Sequence, residues 1–144
     1  MADSNNLILK DNLFFLTSAL SRTLSKEADD VFVTMGLSSS HALILLLIYE
    51  QPEIQPGQLA KKLYLNPSTI TRLVQKLERR QLVEKTTEGR ATNIVCTSKG
   101  NKIVVEVKER WDELMMQKQE QLGDRYVEVL SEMIANALNT VSSE

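Results

Sequence analysis

A single cysteine, Cys96, leaves no intrachain disulfide framework, so a buried core in a reducing setting has to hold the chain together. Histidine is as scarce. His41 stands alone, and one imidazole with one thiol supplies neither a zinc-type ligand set nor a nucleophilic triad. No glycine-rich phosphate loop, internal repeat, low-complexity tract or flexible linker is visible. The longest apolar run, ALILLLIY at Ala42–Tyr49, falls well short of the roughly 20 residues that cross a bilayer and reads as a buried helix. The opening MADSNN lacks the basic segment and apolar run of a secretory signal. These absences lead to an expectation of a soluble cytoplasmic protein with no catalytic residues, no cofactor and no metal.

What is present is a 144-residue chain, 42% apolar, of a size for one globular domain or one domain with helical extensions. Its net charge of −2 is unevenly spread. Between Gln58 and Arg90 there are eight cations against three anions, a local balance of +5 that leaves −7 for the remainder. A basic segment in an acidic frame points its cationic surface one way and limits indiscriminate binding to polyanions.

That basic segment contains the most informative stretch, Asn66–Arg80. Asn66 suits a helix N-cap and Pro67 the first helical position, where its missing N–H is no loss. Ile70, Leu73, Val74 and Leu77 then recur at the spacing of a helix lying on a core. The opposite face carries Ser68, Thr69, Thr71, Arg72, Gln75, Lys76 and Arg79, with no acid before Glu78. Short polar residues at a helix start allow close approach to a groove. Arg and Gln can read base edges, and Lys and Arg neutralise phosphates. An ordinary amphipathic surface helix would show much of the same pattern, so the neighbours decide. Before it, Pro56–Leu63 has the length of a short helix and Tyr64–Asn66 that of a helix-turn-helix turn. After it, Leu82–Cys96 holds two β-prone runs around a glycine turn. Helix, turn, helix and hairpin form a winged helix-turn-helix. Val83, Ile94 and Cys96 are expected inward, with Lys85, Thr87 and Arg90 near the hairpin tip, where Lys85 and Arg90 join the DNA-contacting set. Glu88 is expected to hold the Arg90 guanidinium. A redox-sensing role for Cys96 is the weaker alternative to burial in a strand.

Around this lobe the chain reads as helical. Leu9, Leu13, Leu16, Leu20, Leu24, Ala28 and Val31 predict one helix from about Leu7 to Thr34, closed at Gly36. A second helix runs from about Ser39 to Glu50, with His41 in its first turn in a structural role, and a possible β-bridge follows at Glu53–Gln55. Ile103, Val104, Val107, Trp111, Leu114 and Met115 stripe a long helix from Ser98 to about Gln121. Val127, Leu130, Met133, Ile134, Ala137, Leu138 and Val141 stripe a last one from Asp124 to about Val141, after a break at Gly123. The fold class is therefore mainly α with a small β-hairpin wing. Residues 37–97 are the DNA-binding lobe, and residues 1–36 and 98–144 are a helical dimerisation region.

The order and spacing of several short motifs resemble the MarR family of winged-helix regulators over essentially the whole chain. They are Leu37-Ser38 with His41, Gln58-Leu59-Ala60, Pro67–Val74, Leu77–Val83 and Thr97-Ser98-Lys99-Gly100. Arg90 stands seven residues before Thr97, as the arginine of the family's Asp-x-Arg wing element does, with Glu88 at the Asp position. Gln81 replaces the usual glycine after the reading helix. The resemblance implies a homodimer on a pseudo-palindromic double-stranded operator, with wings touching flanking minor grooves. It also implies repression more often than activation, and release by a small-molecule effector. The alternative is a winged-helix protein-interaction module without significant DNA binding, for which the short wing and the acidic total charge argue.

Overall fold

Hydrophobic spacing becomes seven α-helices and one hairpin among residues 7–143, the part of the chain described by the computed structural model. The segment MADSNN lies outside those residues. The single N-terminal helix expected from the sequence is in fact two, α1 (Leu7–Lys10) and α2 (Leu13–Phe32), followed by a 3₁₀ turn at Val33–Met35. The break has a local cause. Asn12 takes an extended conformation, and its Oδ1 accepts from the Phe15 N–H at 2.9 Å, capping α2. Gly36 closes the 3₁₀ turn with φ of 70°.

Helix α3 (Ser39–Glu50) is apolar on nearly every side and forms the centre of the first lobe, with Ala42, Ile44, Leu45 and Ile48 buried. Helices α2 and α5 and the second strand all pack on it. Its N-terminus is held twice. Ser38 and His41 form a reciprocal capping box, the Ser38 N–H donating to His41 Nδ1 at 3.2 Å and the His41 N–H to Ser38 Oγ at 3.2 Å. Asp29 of α2 also accepts from the Ser39 N–H at 2.8 Å and the Ser39 hydroxyl at 2.7 Å.

Helices α4 (Pro56–Leu63) and α5 (Pro67–Arg79) follow, then strands β1 (Val83–Glu88) and β2 (Ala91–Cys96). The strands are antiparallel, Val83 opposite Cys96 and Glu88 opposite Ala91, joined by the two-residue turn Gly89-Arg90. A positive φ of 61° at Gly89 alone suits a hairpin turn with glycine first. The suspected bridge exists as Ile54 opposite Ile94. Val83 and Ile94 are buried, but Cys96 is only half-buried. Helices α6 (Ser98–Leu122) and α7 (Asp124–Ser142) complete the order, with Gly123 between them at φ of 100°. No single helix among the described residues is long and apolar enough to cross a membrane.

The chain divides into two compact units, one ending at Val107 and the other starting at Lys108. The first contains nearly all the core, from Ala28 through Val107. In the second, only Leu114 and Val127 are buried among the described residues, and Met133, Ile134, Leu138 and Val141 of the expected α7 stripe are exposed. Along α2, Leu13, Phe14, Leu16, Leu20 and Leu24 are exposed too, and burial begins only at Ala28.

Two expected outcomes follow. Burial pushes the His41 imidazole below its ordinary 6.5, the charges of Lys76 and Arg80 act in the same direction, and Asp29 opposes them. The folded protein therefore resists a proton that the unfolded chain accepts. Stability should be full above about pH 7 and fall as pH drops below about 6.5. His41→Gln keeps an acceptor at the third helical position and does not titrate. Urea unfolding at pH 7 and pH 5.5 should show a smaller loss for the variant than for the wild-type chain. Separately, a Cβ on Gly100 would lie 2.0 Å from the Leu82 carbonyl oxygen, a backbone obstacle. Gly100→Ala should lower unfolding free energy by at least about 1–3 kcal/mol, read as a shifted urea midpoint.

Candidate nucleic-acid interface

Helix α5 divides into two faces. Ile70, Val74 and Leu77 are buried and Leu73 is half-buried, and the helix packs on α3, α4 and β1. Burying each large aliphatic chain favours the docked helix by on the order of 2 kcal/mol. On the other face Ser68, Thr71, Arg72, Gln75 and Arg79 are exposed, and Thr69 and Lys76 are half-buried. Seven of the nine residues expected at this interface thus share one helix, five of them exposed. Ser68, Arg72, Gln75 and Arg79 fall at i, i+4, i+7 and i+11, a row of about 16 Å along the axis.

The start of α5 follows the sequence expectation. Asn66 Oδ1 accepts from the Ser68 N–H at 3.2 Å and the Ser68 hydroxyl at 3.1 Å, and Thr71 Oγ1 donates back to the Pro67 carbonyl at 3.0 Å. Before it, Tyr64 takes the left-handed conformation at φ of 54°, and the Leu65 N–H donates to the Ala60 carbonyl at 3.0 Å, which turns the chain from α4 into α5.

The far end is where the sequence left most unsaid. Gln81, without glycine's freedom, still adopts φ of 61°. Its N–H donates to the Glu78 carbonyl at 2.8 Å and the Leu82 N–H to the Leu77 carbonyl at 3.0 Å, the pairing of a glycine-type helix stop. The exit keeps the shape that glycine gives elsewhere, at a local cost. Thr97 Oγ1 donates to the Gln81 carbonyl at 2.6 Å, and Lys99 Nζ to the Arg80 carbonyl at 3.1 Å. Arg80 reaches across 44 positions to donate from Nη1 to the Gly36 carbonyl at 2.9 Å. The motif Thr97–Gly100 is visible in the sequence, but no local signal announces the Arg80–Gly36 contact.

The wing differs from expectation at two points. Lys85 is not at the tip. It stands in mid-strand opposite Ile94, its Nζ 3.3 Å from Glu78 Oε1. Nor does Glu88 hold Arg90, since no ion pair joins them among the described residues, and both are exposed. In full solvent such a pair gains only about 0–1 kcal/mol and immobilises two side chains. Arg90 occupies the turn itself, free of the strands.

Two other candidates take on structural roles. His41 belongs to the capping box described above. The Cys96 thiol lies 3.8 Å from the Leu45 carbonyl oxygen, and burial pushes its pKa up to about 11, away from the thiolate that a redox sensor uses.

A surface helix with a polar, cation-bearing face, preceded by a short helix and followed by a hairpin, is the winged helix-turn-helix arrangement. Residues 37–88 match the MarR family. The HTH-type transcriptional regulator SarZ of Staphylococcus epidermidis is 28% identical over 101 residues, 68% of either chain. Over another curated relative the matched segment spans only 55% of its length. CouR from Rhodococcus jostii RHA1, solved bound to p-coumaroyl-CoA, superposes with a TM-score of 0.78 at 27% identity, covering 93% of this chain and 94% of CouR. S. aureus MepR, solved as a DNA complex, superposes with a TM-score of 0.78 at 21% identity, covering 91% of this chain and 97% of MepR.

Within this lobe the left-handed Gln81 makes a direct test of the helix stop. Gln81→Gly should raise unfolding free energy by about 1 kcal/mol, less the entropy that glycine adds to the unfolded chain. The urea midpoint measures it, and a lower midpoint would contradict the strained-stop assignment.

Proposed function

We propose that the protein is a sequence-specific DNA-binding transcriptional regulator, acting as a homodimer on a pseudo-palindromic double-stranded operator, with repression relieved by a small-molecule effector. The observation that carries the reading is the exposed face of α5, with Ser68, Thr71, Arg72, Gln75 and Arg79 in solvent and Thr69 and Lys76 flanking them. Arg72 and Gln75 are the base-reading candidates, and Lys76 and Arg79 the phosphate contacts. Arg90 at the wing turn suits a narrow minor groove, whose negative potential attracts arginine. Lys85, held beside Glu78, is the weakest member of the set. The MepR–DNA complex supports the docking mode, and the CouR complex with p-coumaroyl-CoA supports an effector.

Residues 1–36 and 98–144 serve as the dimerisation region. Exposed apolar side chains along α2 and α7 support this, because surfaces of that kind on a lone chain mark contact sites. Two-fold symmetry would set half-sites about one helical turn apart, roughly 34–36 Å. The reading includes no catalytic role and a cytoplasmic setting. The lone histidine is engaged in capping and the lone thiol is protonated at neutral pH. Exposed Glu84 and Glu88 on the wing favour the alternative, a protein-interaction module.

Selection of bound duplexes from a random pool separates the two readings, since recovery of no preferred sequence would favour the interaction module. On a selected operator, Arg72→Ala should cost about 1–3 kcal/mol and relax preference at one base pair, whereas Lys76→Ala should weaken all duplexes evenly. If both bound like wild type in a titration, the α5 docking mode would be wrong.

A further inference from the structure

Arg80 is one of the eight cations of the basic segment, directly beyond α5, and charge alone would assign it to phosphates. Its surroundings assign it elsewhere. It is half-buried, and Nη1 donates to the Gly36 carbonyl at 2.9 Å. A Cβ built on Gly36 would lie 3.1, 3.4 and 3.6 Å from Nη1, Cζ and Nη2 of Arg80. Three near-equal distances mean that the guanidinium lies along Gly36, over the place where a side chain would otherwise stand. The carbonyl it caps closes the 3₁₀ turn that extends α2, where unpaired carbonyls carry partial negative charge. The Arg80 backbone is fixed as well, its N–H donating to the Lys76 carbonyl at 3.1 Å and its carbonyl accepting from Lys99 Nζ at 3.1 Å.

The turn that receives Arg80 is itself anchored. Leu37 is buried, Ser38 caps α3, and Asp29 of α2 holds Ser39. Arg80 therefore joins the end of α5 to the junction of α2 and α3. A helix of 13 residues is about 20 Å long. A tilt of about 4° at its C-terminal end moves Ser68 by about 1 Å and Arg72 by somewhat less, enough to misplace a bidentate contact to a base edge.

We propose that Arg80 is a positioning residue for DNA recognition, setting the angle of α5 against the α2–α3 junction through Gly36 and leaving phosphate contact to other cations. The inference rests on the DNA-binding function proposed above. It also identifies a physical link by which a shift of α2 reaches the reading face, through a contact with no DNA atom.

The test compares wild type, Arg80→Ala, Arg80→Lys and Lys76→Ala across a salt series, on the selected operator and on an unrelated duplex of equal length, with melting curves alongside. Arg80→Ala should lower operator affinity about tenfold, hardly change affinity for the unrelated duplex, and keep the wild-type salt slope. Arg80→Lys keeps the charge but loses the planar group lying on Gly36. It should also lose operator preference, about threefold, and it carries the test if the alanine variant does not fold. Lys76→Ala is the phosphate-contact control, with a slope smaller by about 0.9 on both duplexes. If Arg80→Ala behaved like that control while Arg80→Lys behaved like wild type, Arg80 would be a phosphate contact and the proposal would fall. Unchanged preference in both variants, with only melting lowered, would reduce Arg80 to a fold-stabilising role and overturn it equally. A wild-type chain that prefers no duplex would instead overturn the underlying function.

Discussion

A helix that ends inside a protein leaves its last carbonyls in need of donors, and the end of α5 is where several elements of the first unit meet to supply them. The chain's own continuation provides two, the N–H groups of Gln81 and Leu82, by turning left-handed at a residue that is not glycine. The start of α6 provides two more through Thr97 and Lys99. Because Leu82 is fully buried and its carbonyl accepts from the Thr97 N–H at 3.1 Å, the wing can begin only at Val83, and α6 can pass only where residue 100 has no side chain. Helix end, hairpin register and the path of α6 are one constraint satisfied together.

The same place organises charge. Eight cations look equivalent in the sequence between Gln58 and Arg90, but the fold engages two of them internally, Arg80 on Gly36 and Lys85 beside Glu78. The other exposed cations are Lys61 and Lys62 on α4, Arg72 and Arg79 on α5 and Arg90 at the wing turn, with Lys76 half-exposed, so α5 carries three of the remaining six. His41 contributes by remaining neutral. A third cation beside Lys76 and Arg80 would be opposed by both, and a protonated Nδ1 could no longer accept the Ser38 N–H that completes the cap. Asp29 tempers this environment while performing its own capping of α3.

The helical ends have a different energetic character from the middle of the chain. There, Phe32, Ile44, Leu45, Ile48, Leu59, Leu77 and Ile94 are wholly buried. Helix α7 instead presents Met133, Ile134 and Leu138 to solvent in line, and α2 does so over its first three turns. Apolar stripes with this period are what a helix needs in order to bury a face, and a single chain leaves them uncovered. These stripes are the surfaces that the proposed dimer would cover.

The sequence by itself determined the parts governed by neighbouring residues. Helices α3, α4 and α5, the two-strand wing, the stop at Gly123 and the polar face of α5 were all legible, because caps, periodicity and turn residues act over a few positions. It misjudged the N-terminal helix, where the Asn12 cap interrupts an otherwise continuous apolar spacing, and it placed Lys85 too near the wing tip. Contacts between distant positions were decided only by tertiary structure: Arg80 with Gly36, Asp29 with Ser39, and Gly100 against Leu82. Tertiary packing also put Gln81 into a conformation its own side chain disfavours, since the surrounding donors and the buried Leu82 outweigh about 1 kcal/mol of local preference. Local chemistry chose the elements. Which cation remains available for a partner, and which one holds the fold, depended on what the chain brought alongside it.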